Sequence, residues 1–302
     1  MQQVFVIIVT FNGEKWIEKC LNCVAASTYP CKIIIVDNAS ADNTLSIIRK
    51  NFFDIQLFTN AENLGFGAAN NIGIQEALSQ GADYIFLLNQ DVYVFPDTIE
   101  KVVDIAGKNV EFGIISPVQL NGSGEELDYF FKQYLLKHCS REQVEIIELR
   151  KSSVSLIPVR FVNAAAWLLS RECVKKVGLF HPVFFHYGED NNYCARAQYY
   201  GFKAGVYTNA FVCHDRVVKT EKSESLLYKI KSVPRYSVLD IRKPFAIAYF
   251  QAIMKLAQLS KQAHSIKSKI LKKALTEETK FLLNRKQISD IRKQMKTPFT
   301  MT

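Results

Sequence analysis

The fold is decided by Val4-Phe5-Val6-Ile7-Ile8-Val9-Thr10, an uninterrupted run of apolar, mostly β-branched residues. Such a run predicts a strand that is buried on both of its faces. Apolar residues at helical spacing follow over residues 13–24, and residues 32–37 form a second apolar run. These three pieces predict a βαβ unit, which favours a parallel sheet.

The alternation of strands and helices continues through the first ninety residues. Helices are predicted over residues 43–49 and 67–79, and strands over residues 55–58 and 84–88. The pattern predicts an α/β fold with a Rossmann-like, mostly parallel sheet flanked by helices. Further predictions are a helix that begins at Pro96-Asp97-Thr98, a strand at Phe112-Gly113-Ile114-Ile115-Ser116-Pro117, a loop over residues 121–155 and a strand over residues 210–213.

The charge of the chain is concentrated near its end. The 302 residues are 48% hydrophobic, which is typical of a globular protein with a substantial core. Residues 1–218 carry 19 Lys and Arg against 23 Asp and Glu, a net charge of −4, whereas residues 219–302 carry 19 against 6, a net charge of +13. The sequence therefore divides into an acidic main part and a basic tail.

The cysteines and the N-terminus indicate where the protein works. The seven cysteines are an odd number, and most lie among apolar residues, as buried free thiols do in a reducing compartment. Cys20 and Cys23 lie one helical turn apart, and no second Cys/His pair has the spacing of a zinc site. The N-terminus begins a strand without a basic region, so we expect no signal peptide and a cytoplasmic protein.

Polar residues follow three of the predicted parallel strands. They are Thr10-Phe11-Asn12, Asp37-Asn38-Ala39-Ser40 and Asn89-Gln90-Asp91. Because the carboxyl ends of parallel strands meet at one edge, a ligand along that edge would contact all three. Asp91 could ligate Mg²⁺ or Mn²⁺ carrying a diphosphate, and Asp37 could accept hydrogen bonds from a ribose or a pyrimidine. The alternative is that Asn-x-Asp only caps the turn after its strand.

A stretch of small residues lies between these strand ends. Asn63-Leu64-Gly65-Phe66-Gly67-Ala68-Ala69-Asn70-Asn71 opens a helix and allows a ligand to approach the backbone closely. It is not a dinucleotide-binding fingerprint, because it does not follow the first strand and lacks the third glycine. The alternative is a helix N-terminus that is simply packed tightly.

The second half of the chain supplies an acid pair and a histidine. Glu189-Asp190 follows the aromatic segment Phe184-Phe185-His186-Tyr187-Gly188, and His214 ends the strand predicted over residues 210–213. Two adjacent carboxylates suit a sugar transfer, in which one takes a proton from an incoming hydroxyl and the other orients it. The alternatives are first-turn acids stabilised by the helix dipole and a structural histidine.

Taken together, the motifs resemble a known family. In chain order they are Thr10-Phe11-Asn12-Gly13, Val36-Asp37-Asn38-Ala39-Ser40, Asn63-x-Gly65-Phe66-Gly67-x-x-Asn70-Asn71, Leu87-Leu88-Asn89-Gln90-Asp91, Gly178-x-Phe180 with Phe184-Phe185, Glu189-Asp190 and His214. This ordered set, which covers residues 1 to about 216, resembles inverting glycosyltransferase family 2, most closely its bacterial rhamnosyltransferase-type members.

The resemblance implies a fold and an activity. The fold would be GT-A, with a catalytic domain over residues 1–218 and a basic helical extension over residues 219–302. Within the domain, residues 1–95 would bind the nucleotide-sugar and residues 96–218 the acceptor. The protein would move a sugar from a UDP- or dTDP-linked donor to a hydroxyl of a glycan or lipid-linked acceptor, with inversion, in bacterial cell-surface polysaccharide synthesis.

The resemblance also implies residue roles. Asp91 would bind the divalent cation, Mn²⁺ or Mg²⁺, with help from His214. Asp190 would be the catalytic base, with Glu189 beside it. The donor-binding residues would be Thr10, Phe11, Asn12, Asp37, Asn38, Asn63, Gly65, Phe66, Asn70, Asn89 and Gln90.

This sequence departs from the family pattern at three positions. The first residue of the metal-binding motif is Asn89 instead of Asp, and Gln90 occupies a position where relatives often have proline. Both changes weaken the inference of metal dependence. Asn192 replaces an acidic residue two positions after the Glu-Asp pair, so no third carboxylate is expected in that loop.

The basic tail favours an anionic membrane surface as a partner. Its lysines and arginines are interleaved with aromatic residues, and its most apolar stretch, residues 244–254, is too short to span a bilayer. The alternative is a solvated or subunit-docking helix, which would make a homo-oligomer. No nucleic-acid partner is expected, because no recognisable binding module accompanies the charge.

Other functions remain open on the sequence alone. The chain could be a noncatalytic nucleotide-sugar-binding subunit recruited to a membrane complex, although such a subunit needs neither Asp190 nor His214. A nucleotidyltransferase would have a Gly-rich, Arg-containing loop after the first strand, and this sequence has none. Acceptor and sugar specificity is expected in residues 121–155 and around Trp167.

Overall fold

The computed structural model describes residues 1–151, 155–216, 222–266 and 268–297. The first half of this chain contains β1 (Val4–Thr10), α1 (Ile17–Ala25), β2 (Cys31–Asp37), α2 (Thr44–Asn51), β3 (Gln56–Thr59), α3 (Phe66–Ser79), β4 (Tyr84–Asn89), β5 (Val92–Val94), α4 (Thr98–Lys108) and β6 (Phe112–Asn121). The second half contains α5 (Tyr129–Leu135), α6 (Arg141–Glu148), β7 (Leu156–Val159), β8 (Ala166–Ser170), α7 (Arg171–Val177), α8 (Glu189–Tyr199), β9 (Lys203–His214), α9 (Lys222–Val238), α10 (Phe245–His264), α11 (Lys269–Leu283) and α12 (Arg285–Met295).

The first four strands form the parallel part of the sheet, in the order β3-β2-β1-β4. In this register Thr10 lies opposite Asp37, and Val9 lies opposite Asn89. The polar residues that follow β1, β2 and β4 therefore meet at one edge, as their positions in the sequence predicted. The βαβ alternation over the first ninety residues is confirmed.

The rest of the sheet is mixed. Beyond β4 the order is β8-β6-β9-β5, with β7 paired to β9. β8 runs antiparallel to β4 and β6, β6 runs parallel to β9, and β5 runs antiparallel to β9. Only the first half of the sheet is thus purely parallel. The α/β class is confirmed. The antiparallel pairing of β5 with β9 brings the end of β9 next to the turn that follows β4.

The core lies on both faces of the sheet. Phe5 and Ile7 enter one hydrophobic cluster and Val6 and Ile8 enter the other, and all four side chains are fully buried. Complete burial of one such side chain is worth about 1.5–3 kcal/mol. This two-sided burial explains why β1 is a continuous apolar run instead of an alternating one.

The segment expected to be a loop contains two helices. α5 and α6 lie within residues 121–155, and residues 152–154 fall outside the described chain. Their buried residues, such as Phe131 and Val144, are few, so the exposed polar faces dominate the sequence. The Ser140 hydroxyl and the Gln143 side chain form a capping box that begins α6.

Helices α9–α12 pack directly on the sheet domain. Phe184 shares a hydrophobic cluster with residues of α9, α10 and α12, including Val238, Tyr249 and Ile288. Arg235 of α9 donates a hydrogen bond of 2.8 Å to the carbonyl oxygen of Val183. The division between residues 218 and 219 lies outside the described residues and stays a prediction.

Two further features concern the cysteines and the helices. All seven cysteines are free. Within the described residues, no helix combines the length and the apolar character that crossing a membrane requires.

Candidate active site

Asp91 and His214 are brought together by the strand pairing. Asp91 lies in the turn between β4 and β5, and Val92 of β5 pairs with His214, the last residue of β9. The Nε2 atom of His214 lies 3.5 Å from Oδ1 of Asp91. The backbone N–H of Asp215 donates a 2.8 Å hydrogen bond to the carbonyl oxygen of Asp91, which fixes the turn.

The surroundings of Asp91 favour its charged form. Burial alone would raise the pKa of this carboxyl, but the hydrogen bond and charge of His214, with a smaller effect of Arg216, bring the pKa below its usual value. His214 is buried, and its Nδ1 has no hydrogen-bond partner within the described chain. The pair thus offers an ionised carboxylate oxygen next to an imidazole nitrogen.

The geometry of this pair fits a divalent cation. Two ligand atoms that each lie about 2.1 Å from one ion, at an angle of 90–110°, are about 3.0–3.4 Å apart. The 3.5 Å between Asp91 and His214 is close to that separation. A Mg²⁺ ion that carries nucleotide phosphates usually takes one or two carboxylates, and phosphate oxygens and water complete its shell. The described residues contain no group of three or more His, Cys, Asp or Glu suited to a metal.

Glu189 and Asp190 occupy the first turn of α8. The helix is preceded by Tyr187 and Gly188, whose φ angles of 73° and 94° place both in the left-handed region. For a tyrosine this conformation is uncommon and is found mostly where function requires it. The bend directs the start of α8 into the molecule, and Glu189 is buried there.

These two carboxyls hold protons more tightly than usual. Burial, followed by the charge of Asp190, raises the pKa of Glu189 to about 8. Burial also raises the pKa of Asp190, against hydrogen bonds donated by the backbone and side-chain N–H groups of Asn191 at 2.7 and 3.0 Å. Oε2 of Glu189 has no hydrogen-bond partner in the part of the chain that is described.

The small residues before and within α3 pack against the segment that leads into α8. A Cβ atom on Gly65 would lie 1.9 Å from the carbonyl oxygen of Phe185, and φ of Gly65 is 82°. A Cβ on Gly67 would lie 2.9 Å from Cβ of Phe180 and 3.7 Å from Cβ of Glu189. Glycine is therefore required at both positions, because the donor-side loop touches the acid-pair segment.

The sequence analysis missed Arg216. Its guanidinium forms a bidentate ion pair with the buried Asp128, and its charge also reaches Asp91, Tyr134 and Tyr187. Asp190 in turn raises the pKa of Tyr134. Arg216 therefore lies within electrostatic reach of the Asp91 turn and of Tyr187, which precedes the acid pair. The signal in the sequence was a cation two residues after His214, in a position to meet phosphate oxygens.

Thr10 and Asp37 are fully buried at the strand ends. The Thr10 hydroxyl donates a 2.7 Å hydrogen bond to Oδ1 of Asp37, and Ser40 donates to the same carboxylate from its hydroxyl and its backbone N–H. In this structure both side chains therefore shape the edge on which a nucleotide would lie. Their contact with a donor stays a prediction.

Gln90 joins the ends of β1 and β4. Its side chain accepts a 3.0 Å hydrogen bond from the N–H of Phe11 and donates one of 3.1 Å to the carbonyl oxygen of Phe11. A Cβ on Gly13 would overlap Oε1 of Gln90 at 2.2 Å. The Phe11 ring is exposed, and Asn12 has a φ of 48° and donates its N–H to Ser40.

The predicted donor-binding asparagines make internal contacts. Asn38 is buried and donates to the carbonyl oxygen of Gly65, and Oδ1 of Asn63 accepts from the N–H of Gly65 at 2.8 Å. Asn70 is buried and donates to the carbonyl oxygen of Phe66 at 2.9 Å. Asn89, the last residue of β4, is half-buried at the sheet edge, and its donor role stays a prediction.

The specificity expected around Trp167 stays a prediction, but the Trp167 side chain itself lies in the core. Trp167 lies in β8, is fully buried and packs against Phe180 and Tyr193. A strand that is buried between β4 and β6 presents no side chain to a ligand. The ring belongs to the core.

Known proteins with similar sequences share a family. The profile of glycosyl transferase family 2 matches residues 5–178. The glycosyltransferase AglE of Haloferax volcanii is 28% identical over 227 residues, which cover 70% of this chain and 66% of AglE. The dTDP-rhamnosyl transferase RfbF of Shigella flexneri is 25% identical over 224 residues, covering 72% and 71%. An uncharacterized glycosyltransferase of Rickettsia conorii is 28% identical over 60% of this chain, which spans only 29% of that relative.

Solved structures share the fold. The mannosyltransferase PcManGT from Pyrobaculum calidifontis, in complex with GDP-Man and Mn²⁺, matches with a TM-score of 0.59 and 16% identity, over 97% of this chain and 84% of that one. S. aureus TarS 1-349 in complex with UDP-GlcNAc matches with a TM-score of 0.57 and 16% identity, over 84% and 72%. These likenesses confirm the GT-A fold that the sequence motifs predicted.

Proposed function

Because this chain belongs to glycosyl transferase family 2, we propose that it transfers a sugar from a nucleoside-diphosphate sugar to an acceptor hydroxyl, with inversion. The observation that carries the proposal is the geometry of two acidic centres: Asp91 lies 3.5 Å from His214 in the turn after β4, and Glu189-Asp190 begins α8 with a carboxyl oxygen that has no partner among the described residues. The pKa of Asp91 is lowered, whereas those of Glu189 and Asp190 are raised. The first suits a cation and a diphosphate, and the second suits proton transfer.

Each centre has a role in this reaction. Asp91 and His214 would hold Mn²⁺ or Mg²⁺, which supplies positive charge to the departing diphosphate. Arg216 adds a planar cation near Asp91 that can donate to phosphate oxygens. Asp190 takes the proton of the acceptor hydroxyl as that oxygen attacks the anomeric carbon from the face opposite the diphosphate. Burial and the charge of Asp190 raise the pKa of Glu189, which disfavours a second negative charge there.

The donor is a UDP- or dTDP-linked sugar, and the acceptor is a glycan or a lipid-linked sugar of the bacterial cell surface. A dTDP-rhamnosyl transferase among the relatives supports the rhamnosyl or hexosyl class. The GDP-Man, UDP-GlcNAc and Mn²⁺ named in the structural neighbours support a nucleotide-sugar and a cation in general.

The test is a screen of nucleotide-sugars in the presence of Mn²⁺. UDP-glucose, UDP-GlcNAc, dTDP-rhamnose and GDP-mannose are each offered, and thermal shift and nucleoside diphosphate release are measured. We expect one donor to raise the melting temperature and to be hydrolysed or transferred, with product configuration assigned by NMR. A thermal shift without turnover for any donor would favour the noncatalytic binding subunit. The absence of both responses would contradict the proposal.

The protein also acts at an anionic membrane surface, at the inner face of the cell membrane. Ile247, Phe250 and Met254 of α10 lie on one helical face and are exposed by 50%, 63% and 55%. Lys243, Lys293 and Lys296 line a nearby cavity of about 170 Å³, which suits a phosphate headgroup. Each basic residue near such a surface adds about 1 kcal/mol of attraction.

Flotation with vesicles tests the membrane partner. Full-length protein is mixed with phosphatidylcholine vesicles with and without phosphatidylglycerol. We expect flotation only with the anionic lipid, and its loss when Phe250 and Met254 are changed to Ser. Phe53→Ser is the matched control, because Phe53 is 84% exposed outside α10. Unchanged flotation of the double variant would contradict this role, and a change in its oligomer mass would favour subunit docking.

A further inference from the structure

Helix α9 presents one stripe of side chains to the start of α8. Tyr228, Ser232 and Tyr236 are spaced by four residues, so they lie on the same face of α9. Ser232 is fully buried, and a Cβ atom on Gly188 would lie 3.4 Å from its Cβ. Gly188 immediately precedes Glu189. The stripe therefore packs against the turn that carries the acid pair.

Ring contacts place Tyr228 beside the same turn. The Tyr228 and Tyr187 rings meet edge to face, with centroids 4.3 Å apart and planes at 83°. Tyr187 is 48% exposed and lies between Phe185, whose carbonyl oxygen touches Gly65, and the acid pair. The segment over residues 184–188 thus lies between the donor-side loop and α9.

The charge of Asp190 also acts on a third tyrosine, which lies on α5. Tyr134 of α5 lies within electrostatic reach of Asp190 and of Tyr236. After burial, the charge of Asp190 is the next cause that raises the pKa of Tyr134, Tyr228 and Tyr236. All three phenols are half-buried and keep their protons at neutral pH. Their hydroxyls can thus donate and accept hydrogen bonds without adding charge.

We propose that Tyr228 and Tyr236 form the acceptor subsite and bind the pyranose ring whose hydroxyl Asp190 deprotonates. This proposal rests on the proposed transfer of a sugar. A phenol suits a pyranose, because its ring packs on the apolar C–H face while its hydroxyl bonds to sugar hydroxyls. Phe185, an exposed ring in the segment over residues 184–188, extends the aromatic surface.

The position of this subsite in the chain has a consequence for specificity. The family profile matches residues 5–178, so α9 lies outside the matched part. The donor-side edge of β1, β2 and β4 lies inside it. Glu189-Asp190 and His214 also lie beyond the matched part, so the packing of α9 on Gly188 is what assigns α9 to the acceptor side. The proposal predicts that changes on this face of α9 alter acceptor binding and leave donor binding unchanged.

Saturation-transfer NMR with simple glycosides tests the subsite on the full chain. The probes are methyl α-L-rhamnopyranoside, methyl β-D-glucopyranoside and methyl N-acetyl-β-D-glucosaminide, each added in the presence of UDP and Mn²⁺. We expect saturation of at least one ring, and a loss of about fivefold to tenfold in affinity for Tyr228→Ala and Tyr236→Ala. Tyr199→Ala, at an exposed tyrosine near the far end of α8, should match the wild type.

Second measurements separate folding from binding and the acceptor subsite from the donor site. Tyr228→Phe keeps the ring packing, so it should keep the melting temperature and lose only the part of the affinity that depends on the hydroxyl. Thermal shift by the nucleotide-sugar should be unchanged in all tyrosine variants. No saturation of any glycoside by the wild type, or equal saturation by Tyr228→Ala and Tyr236→Ala, would overturn the subsite. Failure of the proposed function instead appears as a missing donor response in the wild type.

Discussion

The turn after β4 and the first turn of α8 each hold acidic side chains, and their proton affinities change in opposite directions. The pKa of Asp91 is lowered, whereas the pKa values of Glu189 and Asp190 are raised. Burial acts in the same direction at both places, so the neighbours decide the difference. Asp91 faces an imidazole and a guanidinium, while Glu189 faces a second carboxylate.

This contrast assigns the two centres to different chemistry. A carboxylate that stays ionised holds a cation, and a carboxyl that binds protons more tightly can accept one during a reaction. The helix dipole at the start of α8 favours negative charge by about 0.3–1 kcal/mol. Burial of Glu189 outweighs that effect, since its pKa is raised to about 8.

Loss of the proposed base should have the strongest effect on catalysis. Asp190→Asn keeps the shape of the side chain and removes the base, so transfer should fall by about 10²–10⁴-fold. Donor affinity, measured by calorimetry with Mn²⁺, should stay unchanged because the cation pair is intact. Asp290→Asn, at an exposed aspartate of α12, is the control. Full activity of Asp190→Asn would remove Asp190 from the role of base.

Loss of the Asp91 carboxylate should weaken cation binding. Asp91→Ala removes the ionised oxygen 3.5 Å from Nε2 of His214. The Mn²⁺-dependent part of donor affinity should fall by at least about tenfold, because losses at metal sites are of that order even for residues behind the ligands. Titration with and without Mn²⁺ measures this part directly. Asp97→Ala, at an exposed aspartate that immediately precedes α4, should leave it unchanged. A Mn²⁺ response that survives in Asp91→Ala would exclude this carboxylate as the ligand.

A smaller effect is expected on the pH dependence of stability, through the raised pKa of Glu189. Because folding raises the pKa of Glu189 from 4.5 to about 8, the folded state binds more protons between these values and loses stability as pH rises through them. The loss from one group is at most about 1.4 kcal/mol per pH unit. Glu189→Gln should resemble the wild type near pH 5 and be more stable than it at pH 8, as measured by urea unfolding. A gap that is independent of pH would show that Glu189 does not titrate in this range.

The centre of the parallel half follows from the sequence because β1 and β4 are buried on both faces, whereas β3 at the edge has no buried residue. The bounds of β1 agree with the run that opens the chain, and β4 extends the predicted strand by only Asn89. The meeting of Asp37 and Asp91 at one edge follows from strand direction alone. Local pattern is sufficient where one physical constraint, burial on both faces, acts on every residue of an element.

The rest of the site depends on contacts between distant segments. β8 and the helices α5 and α6 were not predicted, because a short strand and two mostly exposed helices leave a weak pattern. A structural role for Arg216 is indicated only by its ion pair with Asp128, 88 positions away in the chain. The spacing of Tyr228, Ser232 and Tyr236 likewise indicates a binding surface only once the structure shows that α9 packs on Gly188. No local periodicity encodes such pairings.

The weakest effect is expected at Gln90, whose side chain holds the end of β1 next to the turn that carries Asp91. Its side chain makes two hydrogen bonds to Phe11, so Gln90→Ala should lower the free energy of unfolding by about 1 kcal/mol and loosen the edge next to Asp91. Donor affinity should fall by a few fold, and the pH dependence caused by Glu189 should not change. Gln80→Ala also removes two side-chain hydrogen bonds, but at the far end of α3. An equal loss of donor affinity in both variants would mean that general destabilisation, and not the tie between β1 and β4, causes the effect.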